Sequence, residues 1–105
     1  MKSPTQQSLA LLRQTCDAVQ VVERWCPFSR RRIDLFGVID ILALRGEETI
    51  AVQTTAWSST SARIKKIAES EHIAAMRNAG WRILVHGWRK NKKTNRYEHK
   101  EIDVS

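Results

Sequence analysis

The chain has 105 residues, 42% of them hydrophobic and 28% charged, which suits one folded domain with one core and excludes the composition of a disordered chain. Lys and Arg number 18 against 11 Asp and Glu, and the net charge of +7 favours a polyanionic partner, nucleic acid first; the plain alternative is a cationic surface that keeps the protein soluble. No apolar run nears the roughly 20 residues that span a bilayer, and the opening Met1-Lys2-Ser3-Pro4 lacks signal-peptide character, so a cytoplasmic protein without membrane contact is expected.

Ser3 before Pro4 reads as an N-cap with proline in the first turn, and Leu9, Leu12, Cys16, Val19 and Val22 then recur at helical spacing. The spacing predicts a first helix reaching about Trp25, ended by Pro27. After Arg30-Arg31-Arg32, residues 33–36 read as a short strand, which Gly37 breaks before a second strand over 38–44. That strand is apolar on both faces, so the carboxyl of Asp40 inside it requires a partner. A turn at Arg45-Gly46-Glu47-Glu48 leads to a third strand over 49–54. The hydroxyl-rich stretch 55–61 caps a helix carrying Ile64, Ile67 and Ala68, and a second helical piece runs from Glu69 to Ala79 and stops at Gly80. Residues 81–88 form a fourth strand and 96–104 a fifth. The predicted order is α-β-β-β-α-β-β, a mixed central sheet flanked by helices in one α/β domain over 1–105. Cys16 and Cys26 show no CxxC or Cys/His spacing and are expected to be reduced thiols.

The stretch from Asp40 to Thr55 resembles the catalytic hairpin of the PD-(D/E)XK nuclease superfamily, in particular archaeal Holliday-junction resolvases and small phage nucleases. In that family an Asp at the start of one strand is followed, across a short turn, by Glu-x-Lys on the next. The resemblance covers roughly residues 20–88 and implies a restriction-endonuclease-like domain that binds Mg²⁺ or Mn²⁺ and hydrolyses phosphodiesters in DNA. Position by position, it implies that Asp40 is the metal-binding Asp, Gln53 the second ligand, Thr55 the lysine position and Glu23 a helix acid that completes the metal set. Gln53-Thr54-Thr55 departs from Glu-x-Lys by one negative and one positive charge. Lys65, Lys66 or Arg63 on the following helix would then supply the missing cation, Lys65 first. The resemblance to resolvases also implies a two-fold homodimer.

Each of these residues has a plainer reading. Glu23 reads as an exposed helix residue paired with Arg24 or Arg30, Asp34 as a turn-facing surface acid in place of an additional metal ligand, and Gln53 as a partner for buried backbone groups. For DNA contacts the candidates are Arg30, Arg31 and Arg32, then Arg63 and Lys66, then Arg89, Lys90, Lys92 and Lys93 beside Arg96 and Lys100. Trp57 and Trp88 are candidate stacking surfaces. Three functions remain open: a nuclease, a non-catalytic nucleic-acid- or protein-binding module on the same fold, and a structural or inhibitory protein for an acidic partner.

Overall fold

The first helix, α1 (Pro4–Arg13), starts where the sequence places it in the computed structural model, which describes residues 3–105. Ser3 Oγ accepts from the Gln6 N–H at 3.2 Å, and Gln6 Oε1 accepts from the Ser3 N–H at 3.4 Å. This capping box satisfies donors that a helix end leaves open, while Pro4 in the first turn has no N–H to satisfy. Met1 and Lys2 lie outside the described residues.

The helix ends at Arg13 instead of near Trp25. Residues 16, 19 and 22 have helical spacing, but Val19 and Val21 also repeat every second residue, and β-branched valines suit a pleated surface. The strand partner decides: β1 (Ala18–Val21) pairs antiparallel with β4 (Ile41–Arg45). The next segment is also revised. Residues β2 (Arg24–Cys26) and β3 (Arg31–Ile33) pair as a separate two-stranded hairpin, so the strand expected over 33–36 gives way to a tight loop closed by a Leu35–Ile39 bridge. Phe36 and Gly37 take φ of +53° and +77° in that loop. Glu23 therefore lies on the connection between β1 and β2, not on a helix.

The strands β5 (Glu48–Ala56), β6 (Arg82–Asn91) and β7 (Arg96–Asp103) complete a mixed sheet of order β1-β4-β5-β6-β7. All its pairs are antiparallel except β5 with β6, which are parallel and joined through a 3₁₀ turn (Trp57–Ser59), α2 (Thr60–Ala68) and α3 (Ile73–Asn78). The crossover is required because a parallel pair cannot be closed by a tight turn. One sheet face packs Ile41, Ala43, Ile50, Val52 and Leu84 against Leu9 and Leu12 of α1. The other packs Ala51, Ile83 and Val85 against Ile67, Ile73 and Met76 of α2 and α3. The result is a three-layer α/β arrangement whose central strands are apolar on both faces, as the sequence pattern implies. The observed element order adds the β2–β3 hairpin, and the two helical pieces after β5 are α2 and α3, the second beginning at Ile73 instead of Glu69. Among the described residues no helix is long and apolar enough to cross a membrane.

Candidate metal centre

Asp40 occupies the last position before β4 and is only 4% exposed. Its N–H donates to Val52 O at 2.9 Å and its carbonyl accepts from Val22 N at 2.8 Å, so the backbone is fixed between the end of β1 and β5. Three donors converge on one carboxylate oxygen, Oδ2: the Thr54 N–H at 2.8 Å, Gln53 Nε2 at 2.8 Å and the Thr54 hydroxyl at 3.0 Å. Because the Thr54 proton is used on Asp40, the Thr5 hydroxyl donates to Thr54 Oγ1 at 2.8 Å, linking α1 to the site.

Two further carboxylates meet Asp40. Glu23 immediately precedes β2 and Asp34 immediately follows β3, so the two acids stand at the root of the hairpin. One oxygen each from Glu23, Asp34 and Asp40 lies within 4.8 Å of the others. Cations border the group on two sides, with Arg32 Nη1 2.9 Å from Glu23 Oε1 and Lys66 Nζ 3.8 Å from Asp34 Oδ2. Burial, reinforced by the neighbouring Asp34 charge, pushes the Asp40 carboxyl up to about 7 against the opposing pull of the Thr54 N–H. The Asp40 carboxyl therefore holds its proton more tightly than an ordinary aspartate does.

Gln53 and Thr55 project to the same face of β5, by the two-residue period of a strand. Gln53 is 2% exposed, and its Oε1 is the single buried side-chain acceptor among the described residues with no hydrogen-bond partner. Leaving such an atom unpaired costs about 1–3 kcal/mol. The three clustered carboxylates offer only oxygen donors, which would suit a hard cation such as Mg²⁺ or Mn²⁺ and not a thiophilic metal, while the Gln53 amide turns its N–H toward Asp40. Thr55, at the expected lysine position, accepts from Arg63 Nε at 3.5 Å. Lys65 is exposed, and the lysine beside the acids is its neighbour Lys66.

The basic residues divide between two hairpins. Arg30, Arg31 and Arg32 are exposed on β2–β3. A cleft of about 240 Å³ is lined by Arg31, Arg32, Asp34 and Lys66, and a second, of about 510 Å³, by Thr5, Glu23 and Arg32, so both open onto the acids. Arg89, Lys90, Lys92 and Lys93 line a separate groove on β6–β7. Trp57 is half-buried beside that groove, with the Arg89 guanidinium 3.8 Å and Lys100 Nζ 4.7 Å from its ring centroid. Trp88 stacks on His99 at 4.6 Å and donates Nε1–H to Ser8 Oγ at 2.7 Å.

Sequence reasoning favoured a surface acid over an additional metal ligand for Asp34, and the structure sets it beside Glu23 and Asp40. A reading of Arg24–Ile33 as a hairpin about its Pro27-containing turn puts Glu23 opposite Asp34, and that pairing was the available signal. It also passed over Ser8 and His86, both fully buried. His86 Nε2 bonds Glu101 Oε1 at 2.9 Å and Nδ1 bonds Ser8 Oγ at 2.8 Å. The chain resembles a Ser-His-acid relay in composition, but its serine is sealed from any substrate, and it acts as a clamp between α1, β6 and β7. Comparison with known proteins finds no matching family model, curated protein or solved structure.

Proposed function

We propose that this chain acts on DNA as a divalent-metal-dependent phosphodiesterase on a PD-(D/E)XK-type scaffold, with Glu23, Asp34, Asp40 and the Gln53 carbonyl holding Mg²⁺ or Mn²⁺. The observation that carries this reading is the meeting of three carboxylates beside an orphaned buried carbonyl, in a protein of net charge +7. The path from α1 through antiparallel β1, β4 and β5 to a helix and a parallel β6 supports it, with Asp40 entering the second of those strands and Gln53 on the third. When bound, the cation supplies a water of lowered pKa and positive charge for the phosphate. Arg30 and Arg31, exposed on the same hairpin, attract the DNA backbone. Lys66 beside Asp34 and Arg63 beside Thr55 bring the positive charge that Gln53-Thr54-Thr55 lacks.

Incubation with single-stranded and branched DNA in Mg²⁺, Mn²⁺ or EDTA tests the proposal. Cleavage is expected with metal and is lost in Asp40→Ala and Asp34→Ala. Removing a charge-stabilising group commonly costs on the order of a hundredfold in rate, which is the loss expected for Lys66→Met, whereas Lys65→Met stays near wild type. A second reading, a non-catalytic DNA-binding module, draws on the Arg32–Glu23 pair and on Gln53 Nε2 facing Asp40, which compensate part of the acid charge internally. Failure of both the wild type and Gln53→Glu/Thr55→Lys to cleave any DNA they bind decides for that reading.

A further inference from the structure

The β2–β3 hairpin carries two large aromatic rings exposed to solvent. Phe28, in the turn between the strands, is 97% exposed, and Trp25 on β2 is 60% exposed. Single exposed apolar residues are ordinary, but an almost wholly exposed Phe beside an exposed Trp on one short projection is a binding feature to be explained. The charge around them identifies the partner. Residues 24–33 contain Arg24, Arg30, Arg31 and Arg32 and no acid. Trp25 and Arg32 are direct cross-strand partners, and with Arg32 held by Glu23 it is the exposed Arg30 and Arg31 of the same hairpin that are left to meet phosphate. Rings interleaved with guanidinium groups are the chemistry of base stacking combined with phosphate contact.

The position of the hairpin adds a geometric argument. Its root is the pair Glu23 and Asp34, two of the three clustered carboxylates. Each of its strands is three residues long, roughly 10 Å at the rise of a strand, and the turn carries Phe28 beyond them, a span of a few nucleotides. We infer that the β2–β3 hairpin is a wedge for unpaired DNA bases, Phe28 entering the base stack and Trp25 supporting it, so that the adjoining backbone phosphate is delivered to the acid cluster at the root. The inference rests on the proposed DNA substrate and deepens it, because it makes unpaired or branched DNA the preferred form. Apolar side chains inserted between base steps unstack them at a cost that is smallest where pairing is already broken.

The test uses the full chain in EDTA, where binding is read without cleavage. Fluorescence anisotropy is measured at one low salt concentration on a labelled single strand, a splayed-arm duplex and a blunt duplex. Phe28→Ala is expected to weaken binding to the first two by about tenfold, the loss typical of one stacked base, and to leave the blunt duplex unchanged. Phe28→Tyr restores binding, and a 2-aminopurine placed at the unpaired position is quenched by the wild type but not by Phe28→Ala. Because Phe28 makes so little contact with the fold, the variant keeps its structure, and a matching melting temperature verifies this. An equal loss on all three DNAs, or none on any, overturns the wedge while leaving the DNA reading in place. Failure of the wild type to bind any of them removes that reading itself. If polyglutamate binds as tightly as DNA and with the same dependence on Phe28, the occupant is an acidic protein and the inference fails.

Discussion

At the scale of single residues, Asp40 governs the response to pH. Its carboxyl binds a proton near pH 7 in the folded protein and near about pH 3.9 in an unfolded chain, so the folded state holds the proton more tightly between those values. The stabilisation is complete below about pH 4 and is lost as pH rises through about 7, a change on the order of a few kcal/mol. Burial depresses the His86 pKa, and that contribution runs the other way, being lost as pH falls below the ordinary histidine range. The two separate by difference: in EDTA, wild type minus Asp40→Asn is expected to show stability falling from pH 5 to 8, and a flat difference removes the assignment. Mn²⁺ should reduce the fall and release a proton on binding, which calorimetry in buffers of different ionisation enthalpy detects. Gln53→Glu replaces a donor to Asp40 with another carboxylate. It is expected to lower the melting temperature in EDTA and to gain more from Mn²⁺ than the wild type does; equal gains place the cation away from Gln53.

Between elements, two contacts hold the helices at the positions the site needs. Ser8 joins α1 to β6 through His86 and Trp88, all at 2.8 Å or less, and removing its hydroxyl strands two buried groups. Ser8→Ala is expected to cost about 1–3 kcal/mol in urea unfolding and to leave binding by the β2–β3 hairpin intact. On the other face, α2 begins against Gly87 of β6, where an added Cβ would lie 2.5 Å from Thr60 Oγ1 and 3.3 Å from the Trp57 backbone. Thr60 cannot yield cheaply, because it is buried and its hydroxyl donates to Trp57 O at 2.6 Å. Gly87→Ala therefore displaces the start of the helix that carries Arg63 and Lys66. An overpacking loss of about 1–3 kcal/mol is expected, with weaker metal affinity than the stability loss alone explains. Unchanged thermal stability would show that the turn moves freely.

For the whole molecule, the excess of 18 basic over 11 acidic residues makes counterion release the main source of DNA affinity. Arg32 is committed to Glu23, whereas Arg30 and Arg31 have exposed side chains on the same hairpin. Arg30→Gln/Arg31→Gln is expected to weaken binding to every sequence alike and to lower the slope of log affinity against log salt by about two. A slope that does not change moves the phosphate track to Arg89, Lys90, Lys92 and Lys93.

Local sequence was sufficient for the Ser3 cap, the Arg45–Glu48 turn, the two-faced apolar strands and the anomaly of a carboxyl at Asp40, because each depends on neighbours a few residues away. Pairing across the chain decided the remainder. Val19 and Val22 fit a helix by spacing, yet β4 claims Val19 for a strand and ends α1 at Arg13. Asp34 reads from the sequence as a surface acid before a metal ligand, and it joins the cluster because β2 pairs with β3 and sets it opposite Glu23. Which basic side chain stands beside those acids was likewise a matter of helix rotation: successive residues on α2 point about 100° apart, so Lys66 reaches Asp34 while Lys65 turns to solvent.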